Sequence, residues 1–278
     1  MSDLTYVDSV ILGVVEGLTE FLPVSSTGHL TITEKLLGLT VDDPAVTSFT
    51  AVIQIGAIVA TFLYFWRDIS RLARAWFGGL RDRTRRTDPD YRLAWFVIIG
   101  SIPVAVAGLA FKDLITGPLR SLWVVAVALI GWSAVMWFAE SRATQERGER
   151  ELTAKDVLLI GLVQCLALVP GVSRSGATIS AGLLLGLDRV TATRLSFFLA
   201  IPALTAAGLY ELKAVNTAVV GVGQILVGTT VAFVVAYATI AWLLRFVIRH
   251  PITVFVYYRV ALGLAVLVLL GTGALSAT

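Results

Sequence analysis

The sequence predicts an all-α polytopic membrane protein, an inverted-topology repeat with six transmembrane helices and two re-entrant helix-break-helix hairpins. Three observations predict it: the composition, the length of the apolar stretches, and a repeated break in two of them. Of the 278 residues, 57% are hydrophobic and 15% are charged, whereas soluble domains average about 45–50% apolar and about 25% charged residues. One soluble core cannot hide this excess, which excludes a soluble enzyme, a nucleic-acid module and a disordered chain.

The charge and the cysteine content exclude further classes of protein. The 22 Lys and Arg against 19 Asp and Glu leave a net charge of +3, too small to indicate a nucleic-acid partner. Cys165 is the only cysteine, which excludes a disulfide framework and a multi-cysteine metal site. We therefore expect a single integral membrane domain, residues 1–278, with the lipid bilayer as its immediate partner.

Six stretches are long enough to cross a membrane as helices, since a bilayer core of about 30 Å requires about 20 apolar residues. The predicted spans are 46–66, 93–111, 121–139, 193–212, 218–248 and 252–274. Pro202 and Gly208 interrupt the fourth span, and neighbouring helices can satisfy the backbone groups that such residues free. The segment 67–92 between the first two spans is expected to be an arginine-rich loop.

Two further apolar regions are broken in the middle. Residues 7–39 are interrupted at Pro23 and the following SSTG, and residues 156–187 are interrupted at Pro170 and the following GVSRSG. Each arm holds about 10–16 apolar residues, which is typical of re-entrant segments. Irregular backbone at membrane depth is viable only where it lines a polar cavity or is buried in protein. We therefore expect two re-entrant hairpins that line a shared cavity.

The basic residues predict the orientation. They are concentrated in three segments, 67–92, 141–155 and 245–250, which the positive-inside rule assigns to the cytoplasm. The alternate loops are poor in cations, and Lys213 is the only one in the last of them. We therefore expect a multi-pass protein of the cell membrane. With six crossings and two non-crossing hairpins, both of its termini lie on the extracytoplasmic side.

A shift of 148 residues superimposes the two broken regions. The matched residues are Gly13 with Gly161, Glu16 with Gln164, Ser25 with Ser173, and Gly28 with Gly176. Each half, about 1–140 and about 153–278, then holds one hairpin and three spans. Because three is odd, the second half enters the membrane upside down, a plan in which broken helices build a site near the midplane. Chance similarity is the alternative, which the repeated hydropathy order disfavours.

Glu16 and Glu20 lie four residues apart, so their carboxylates share one face of a helix. A charged side chain at membrane depth costs about 2.5–3.5 kcal/mol on insertion scales, and two carboxylates repel each other. The pair therefore indicates a divalent cation, or a cation and a proton. The alternative is a structural ion pair with Arg174 or Arg259.

His29 directly follows Ser25-Ser26-Thr27-Gly28. Its position beside hydroxyls and carboxylates suits general acid–base chemistry near neutral pH. The alternative is a histidine that only makes structural hydrogen bonds.

Arg174 lies between Ser173 and Ser175 in the second break, where its guanidinium suits phosphate oxygens. If both breaks open a helix, their free amides and positive dipole ends favour an anion in the same cavity. The serines and Thr178 could instead simply cap the half-helices.

These groups together match phosphoryl transfer on a lipid-tailed substrate. An anion channel has little use for paired glutamates. A lipid flippase or transporter is the main competitor, because inverted repeats with broken helices are a transporter plan. A membrane phosphatase of the phosphatidic-acid type is disfavoured, since that family requires a histidine following the arginine motif and the next one after Arg174 is His250.

The segments EGLTEFLPVSSTGH (16–29) and LVPGVSRSGATIS (168–180) resemble the two signature segments of the undecaprenyl-diphosphatase, or bacitracin-resistance, family. The resemblance covers essentially the whole chain, including the VIQ around Gln54 and the Tyr258-Arg259 pair. It implies hydrolysis of undecaprenyl diphosphate, which recycles the lipid carrier for peptidoglycan synthesis and gives bacitracin resistance. It also implies dependence on a divalent cation, Mg²⁺ or Ca²⁺, and a site open to the extracytoplasmic side.

The resemblance assigns roles by matching position. The catalytic residues would be Glu16, Glu20, Ser26, His29 and Arg174, with both glutamates on the metal. The residues expected to bind the polyprenyl diphosphate are Ser25, Thr27, Gln54, Ser173, Ser175 and Thr178. The nucleophile is either the Ser26 hydroxyl or a metal-bound water. A homodimer is a candidate assembly.

Overall fold

The computed structural model describes residues 4–41, 43–211 and 221–277, and these residues are predominantly helical. Their α-helices are α1 (Tyr6–Thr19), α2 (Ser26–Leu36), α3 (Pro44–Tyr64), α4 (Trp66–Arg81), α5 (Pro89–Ala110), α6 (Lys112–Thr116), α7 (Leu122–Arg142), α8 (Ala154–Gln164), α9 (Arg174–Leu184), α10 (Arg189–Glu211), α11 (Val222–Arg249) and α12 (Thr253–Gly271). The all-α prediction is confirmed. The expected loop at 67–92 is wrong in its first part, because α4 is a regular helix that ends only at Arg81.

Six helices are long and apolar enough to cross a membrane: α3, α5, α7, α10, α11 and α12. Each one overlaps a predicted span, so the six-span prediction is confirmed within the described part of the chain. Residues 212 and 218–220, which the sequence assigned to spans, and Lys213 lie outside the described residues.

The two interrupted regions form the expected helix-break-helix hairpins, α1–α2 and α8–α9. Their arms contain 14, 11, 11 and 11 residues. At 1.5 Å per residue these arms are about 16–21 Å long, well short of a bilayer core of about 30 Å. Each arm therefore ends within the thickness that the long helices span.

The two hairpins begin with the same local structure. Thr5 and Asp8 form a reciprocal capping box at the start of α1, and Thr153 and Asp156 form one at the start of α8. The two boxes lie 148 residues apart, at the shift that superimposes the breaks. Each box satisfies two amide donors that a helix start otherwise leaves without partners. The inverted orientation of the two halves stays a prediction.

The halves also exchange equivalent contacts. Helix α1 of the first half packs on α11 of the second, and α8 of the second half packs on α5 of the first. A Cβ added to Gly13 would lie 2.6 Å from the Gly228 carbonyl oxygen, and one added to Gly161 would lie 2.3 Å from that of Gly100. Only glycine permits so close an approach of the backbones, and such contacts drive helix association in lipid.

The arginine-rich segments converge on one end of the bundle. Arg189 at the start of α10 pairs with Glu140 at the end of α7, and Glu140 also accepts a hydrogen bond from the Ile252 amide beside α12. Arg194 lies 3.2 Å from the Asp68 carboxylate of α4. We call this end of the molecule the arginine end.

Both ends of the described chain lie opposite the arginine end. The Gln224 amide near the start of α11 donates to the Leu4 carbonyl. The Leu122 amide at the start of α7 donates to the Ala277 carbonyl, at 3.0 Å. Helices α7 and α11 run from these contacts to the arginine end. The whole length of a spanning helix therefore separates both ends of the described chain from the arginine end.

Candidate active site

Each hairpin breaks at an elbow whose last residue is a serine with a left-handed backbone. The first elbow, residues 20–25, ends at Ser25 with φ +76°, and the second, residues 165–173, ends at Ser173 with φ +77°. Left-handed conformations of such residues cost about 1–3 kcal/mol and persist only where their surroundings enforce them. The same strained geometry at equivalent positions indicates that both elbows belong to a functional site.

The structure brings the two elbows into direct contact, as the repeat predicts. The Gly171 amide donates to Ser25 Oγ at 3.1 Å, and Ser175 Oγ donates to the Leu22 carbonyl at 3.0 Å. Gly171 itself has φ +100°, a conformation that favours glycine. The two serines therefore tie each elbow to the other.

Arg259 of α12 joins both elbows to the bundle. Its fully buried guanidinium donates to the Pro23 carbonyl at 3.1 Å and to the Gly171 carbonyl at 2.8 Å, one from each elbow. It also donates to Leu129 O and Ser133 Oγ of α7. The sequence offered Arg259 as a possible partner for the glutamates and as part of the Tyr258-Arg259 pair of the resemblance, without predicting its contacts with the elbows. An arginine within an apolar span is itself a signal of function at membrane depth.

A charged cluster lies where the elbows meet. Ser26 Oγ donates to one Glu20 carboxylate oxygen at 2.5 Å, and Arg174 Nη2 lies 3.3 Å from the other. Glu16 lies one turn earlier on the same face of α1, is 1% exposed, and is within electrostatic range of Arg174. The structure therefore brings these four predicted residues together, and Glu20 makes the ion pair that the sequence offered as its alternative.

The ion pair leaves most of the Arg174 donor capacity unused. Within the described residues, none of its three guanidinium nitrogens makes a hydrogen bond, although all three are buried. Each buried donor without an acceptor costs about 1–3 kcal/mol. A ligand with several anionic oxygens would satisfy these donors, and a phosphate group matches the planar guanidinium fork.

His29 lies in α2 with both ring nitrogens engaged. Nδ1 lies 2.7 Å from the Ser25 carbonyl oxygen and Nε2 lies 2.6 Å from the Tyr258 hydroxyl. Because a carbonyl only accepts, Nδ1 carries the proton, and Nε2 of the neutral ring accepts from Tyr258. The ring makes no direct hydrogen bond to Ser26 in the described structure. Sequence reasoning missed Tyr258 as its partner.

Ser173 and Thr178 serve the helix that carries Arg174. Ser173 Oγ accepts from the Gly176 amide at 3.2 Å, so it caps α9. Thr178 Oγ1 lies 2.9 Å from the Arg174 carbonyl and 2.7 Å from Ser196 Oγ of α10. The capping alternative is therefore realised for Ser173, and Thr178 anchors α9 to its neighbour.

Two predicted binding residues lie apart from this network. The Thr27 side chain is exposed in the first turn of α2, and Gln54 is half-buried midway along α3. Neither side chain makes a hydrogen bond to the described residues of the elbows. Their assignment to the substrate stays a prediction.

Nearly the whole chain is similar to known proteins. The family model for bacitracin resistance protein BacA matches residues 9–265. The chain belongs to the BacA family. An undecaprenyl-diphosphatase 3 of Frankia casuarinae is 58% identical over 99% of this chain and 100% of its own length. An undecaprenyl-diphosphatase 1 of Streptomyces avermitilis is 57% identical over the same shares, and an undecaprenyl-diphosphatase of a Mycobacterium species is 54% identical, again over the same shares.

This BacA-family site fits a divalent cation in one particular way. Among the described residues, no group of three or more His, Cys, Asp or Glu side chains could hold a metal ion. Glu16 and Glu20 nevertheless offer two buried carboxylates on one helix face. Mg²⁺ is commonly held by one or two carboxylates together with substrate phosphates. The glutamate pair fits a cation that binds together with a phosphorylated substrate.

Proposed function

We propose that the chain hydrolyses undecaprenyl diphosphate to undecaprenyl phosphate and inorganic phosphate. The observation that carries the proposal is the buried Arg174, whose nitrogens make no hydrogen bond to the described residues. It pairs with Glu20, which accepts a hydrogen bond from Ser26 where the elbows meet. The full-length similarity to undecaprenyl-diphosphatases supports the substrate. The reaction recycles the lipid carrier for cell-wall synthesis and accounts for bacitracin resistance.

The isoprenoid tail is proposed to lie between helices, with the diphosphate at the elbows. Arg174 binds oxygens of the terminal phosphate and neutralises charge that develops there in the transition state. Ser26 Oγ attacks the terminal phosphorus while Glu20 accepts its proton, and the bond to the bridging oxygen breaks so that undecaprenyl phosphate leaves. Water then hydrolyses the phosphoserine. In the alternative route, Ser26 and Glu20 orient a water that attacks directly.

We assign His29 to proton transfer through the Tyr258 hydroxyl. The hydrogen bond from Nδ1 to the Ser25 carbonyl fixes the tautomer and directs the basic Nε2 at that hydroxyl. Tyr258 is about half exposed, and we assign its hydroxyl the transfer of protons between His29 and the outside of the buried cluster. This route requires no direct hydrogen bond between Ser26 and His29.

A divalent cation, Mg²⁺ or Ca²⁺, would neutralise diphosphate charge when bound, and Glu16 and Glu20 would hold it. Removal of metal by a chelator is expected to abolish phosphate release from the purified protein. Re-addition of Mg²⁺ or Ca²⁺ should restore it. Full activity in the chelator would contradict the metal assignment and leave the anion site unaffected.

The arginine end is proposed to face the cytoplasm, because cytoplasmic loops are rich in Lys and Arg. Both termini then lie outside and the site opens to the extracytoplasmic side. Maleimide labelling of single cysteines in intact cells, in a Cys165→Ala background, would test this. A cysteine beside Ala277 should react with a membrane-impermeant reagent, whereas one beside Arg150 should not. The reverse pattern would invert the topology. Homodimerisation stays a prediction that solution mass measurements can address.

Phosphate release from undecaprenyl diphosphate in detergent tests the reaction. Arg174→Ala is expected to lower kcat by about 10²–10³, the usual effect of removing a transition-state donor. Glu20→Gln and Ser26→Ala are expected to be at least as damaging, whereas Arg249→Gln, an exposed change at the arginine end, should be neutral. Lipid translocation by wild-type protein without phosphate release would favour a flippase and refute the proposal.

A further inference from the structure

Helix α4 has an apolar stripe that no other part of the described protein covers. Its inner face, which includes Leu72 and Gly79, is buried on the bundle. On another face, Trp66, Phe77 and Leu80 are 60%, 56% and 44% exposed. At 100° per residue these three side chains lie within about 60° of one another around the helix axis. The three side chains therefore form one exposed stripe along the helix, with the smaller Ser70 and Ala73 between Trp66 and Phe77.

A row of arginines runs beside this stripe. Arg67, Arg74 and Arg81 recur every seven residues, and all three side chains are exposed. The helical period places this row about 90° from the stripe. No described carboxylate forms an ion pair with any of the three. By contrast, Arg71 lies closer to the inner face and pairs with Asp68 and Asp90.

The wider segment is also strongly cationic. Residues 66–92 contain eight arginines and four aspartates, which gives 8 − 4 = +4. The helix directly follows α3 and precedes α5, so it lies at the level where two spanning helices leave the membrane. This is the level of the lipid headgroups.

We propose that α4 binds anionic phospholipids of the surrounding leaflet. The Trp66–Phe77–Leu80 stripe lies at the boundary of the acyl chains, and the Arg67–Arg74–Arg81 row binds headgroup phosphates. An apolar stripe flanked by cations is typical of interfacial helices. Each basic residue near an anionic surface strengthens binding by about 1 kcal/mol, or about fivefold. The three arginines together then contribute a factor of up to about 100.

Native mass spectrometry of the full-length protein, titrated with phosphatidylglycerol or phosphatidylcholine, tests the proposal. The wild type is expected to retain phosphatidylglycerol in preference to phosphatidylcholine, and this preference should fall as salt is added. The triple variant R67Q/R74Q/R81Q is expected to bind phosphatidylglycerol about 100-fold more weakly. The corresponding triple lysine variant should stay within a few-fold of wild type, because it keeps the charge.

The matched control is R142Q/R150Q/R249Q, which removes three exposed arginines at the same end of the molecule. It changes the net charge equally and should weaken phosphatidylglycerol binding clearly less than the α4 variant does, because it leaves the arginine row beside the stripe intact. Phosphate release in detergent checks that each variant is folded, because none of these residues lies at the elbows. Unchanged binding in the α4 variant, or an equal loss in the control, would overturn the proposal.

Discussion

Replacing Arg259 with leucine is expected to separate the two elbows. The guanidinium donates to the Pro23 carbonyl of the first elbow and to the Gly171 carbonyl of the second. Leucine fills much of the same volume but offers no donor. Two buried carbonyls are then left without the hydrogen bonds that hold them.

The structure sets the size of the effect. Arg259 is fully buried and makes four hydrogen bonds. Hydrogen bonds to charged groups contribute about 1.5–3 kcal/mol each, although some of this offsets the desolvation of the guanidinium. Removing the charge along with its donors is therefore expected to lower the free energy of unfolding by about 3–5 kcal/mol. A shift of about 1 Å between the elbows would lower kcat about 100-fold.

Two measurements check this prediction. Thermal unfolding in detergent reports the stability, and phosphate release well below the unfolding temperature reports kcat and KM. Arg259→Lys keeps the charge but offers three donors from a single nitrogen. It is expected to remain folded and still lose about tenfold in kcat, which a purely stabilising role would not produce.

The exposed Arg249→Gln serves as the control at the arginine end. It should leave both the unfolding temperature and kcat unchanged. An Arg259→Leu protein that unfolds at the wild-type temperature and keeps kcat within threefold would refute the role of this arginine in holding the elbows.

Three further predictions concern other contacts. Tyr258→Phe removes the hydroxyl that lies against His29 Nε2. It is expected to lower kcat about tenfold and to shift the dependence of kcat on pH. An unchanged pH dependence would contradict proton transfer between His29 and Tyr258. Gly17→Leu places a Cβ within 2.6 Å of an α11 carbonyl and should prevent stable folding, as seen by gel filtration. Burial raises the pKa of the Asp156 carboxyl, but hydrogen bonds from Arg147 and Thr153 together outweigh it and hold that pKa below its usual range. Asp156→Asn should therefore lower stability by about 2 kcal/mol at pH 7. The difference from wild type should disappear as the pH falls below about 3.9 and through the folded pKa, as thermal unfolding at several pH values would show.

The spans and the hairpins were readable from the sequence because their signals are local. A helix that crosses a membrane must be about 20 residues long and apolar, and the six predicted spans satisfy that condition by themselves. The repeat adds long-range information, since it pairs Ser25 with Ser173, 148 residues further along the chain. That pairing predicted that the two elbows meet. For an ion pair with the glutamates the sequence left both Arg174 and Arg259 open, and the structure pairs Arg174 with Glu20.

The partners of His29 and Arg259 could not be predicted in the same way. Tyr258 lies 229 residues after His29, and the repeat gives no counterpart that would link them. Arg259 binds two carbonyl groups, and every residue carries a carbonyl, so such acceptors leave no signal in a sequence. The sequence predicts a loop where α4 forms, because the arginines interrupt its apolar pattern, which has only about four helical turns in which to repeat.

The sequence by itself determined that this chain is an integral membrane protein, which segments span the membrane, and which residue types supply the chemistry. Hydrophobic length and side-chain identity are properties of single segments, so they need no knowledge of the fold. The tertiary structure decided which atoms meet: Ser26 on Glu20, His29 on Tyr258, and Arg259 on both elbows. These contacts depend on how helices distant in the chain approach each other, and close packing of backbones at glycines sets that approach.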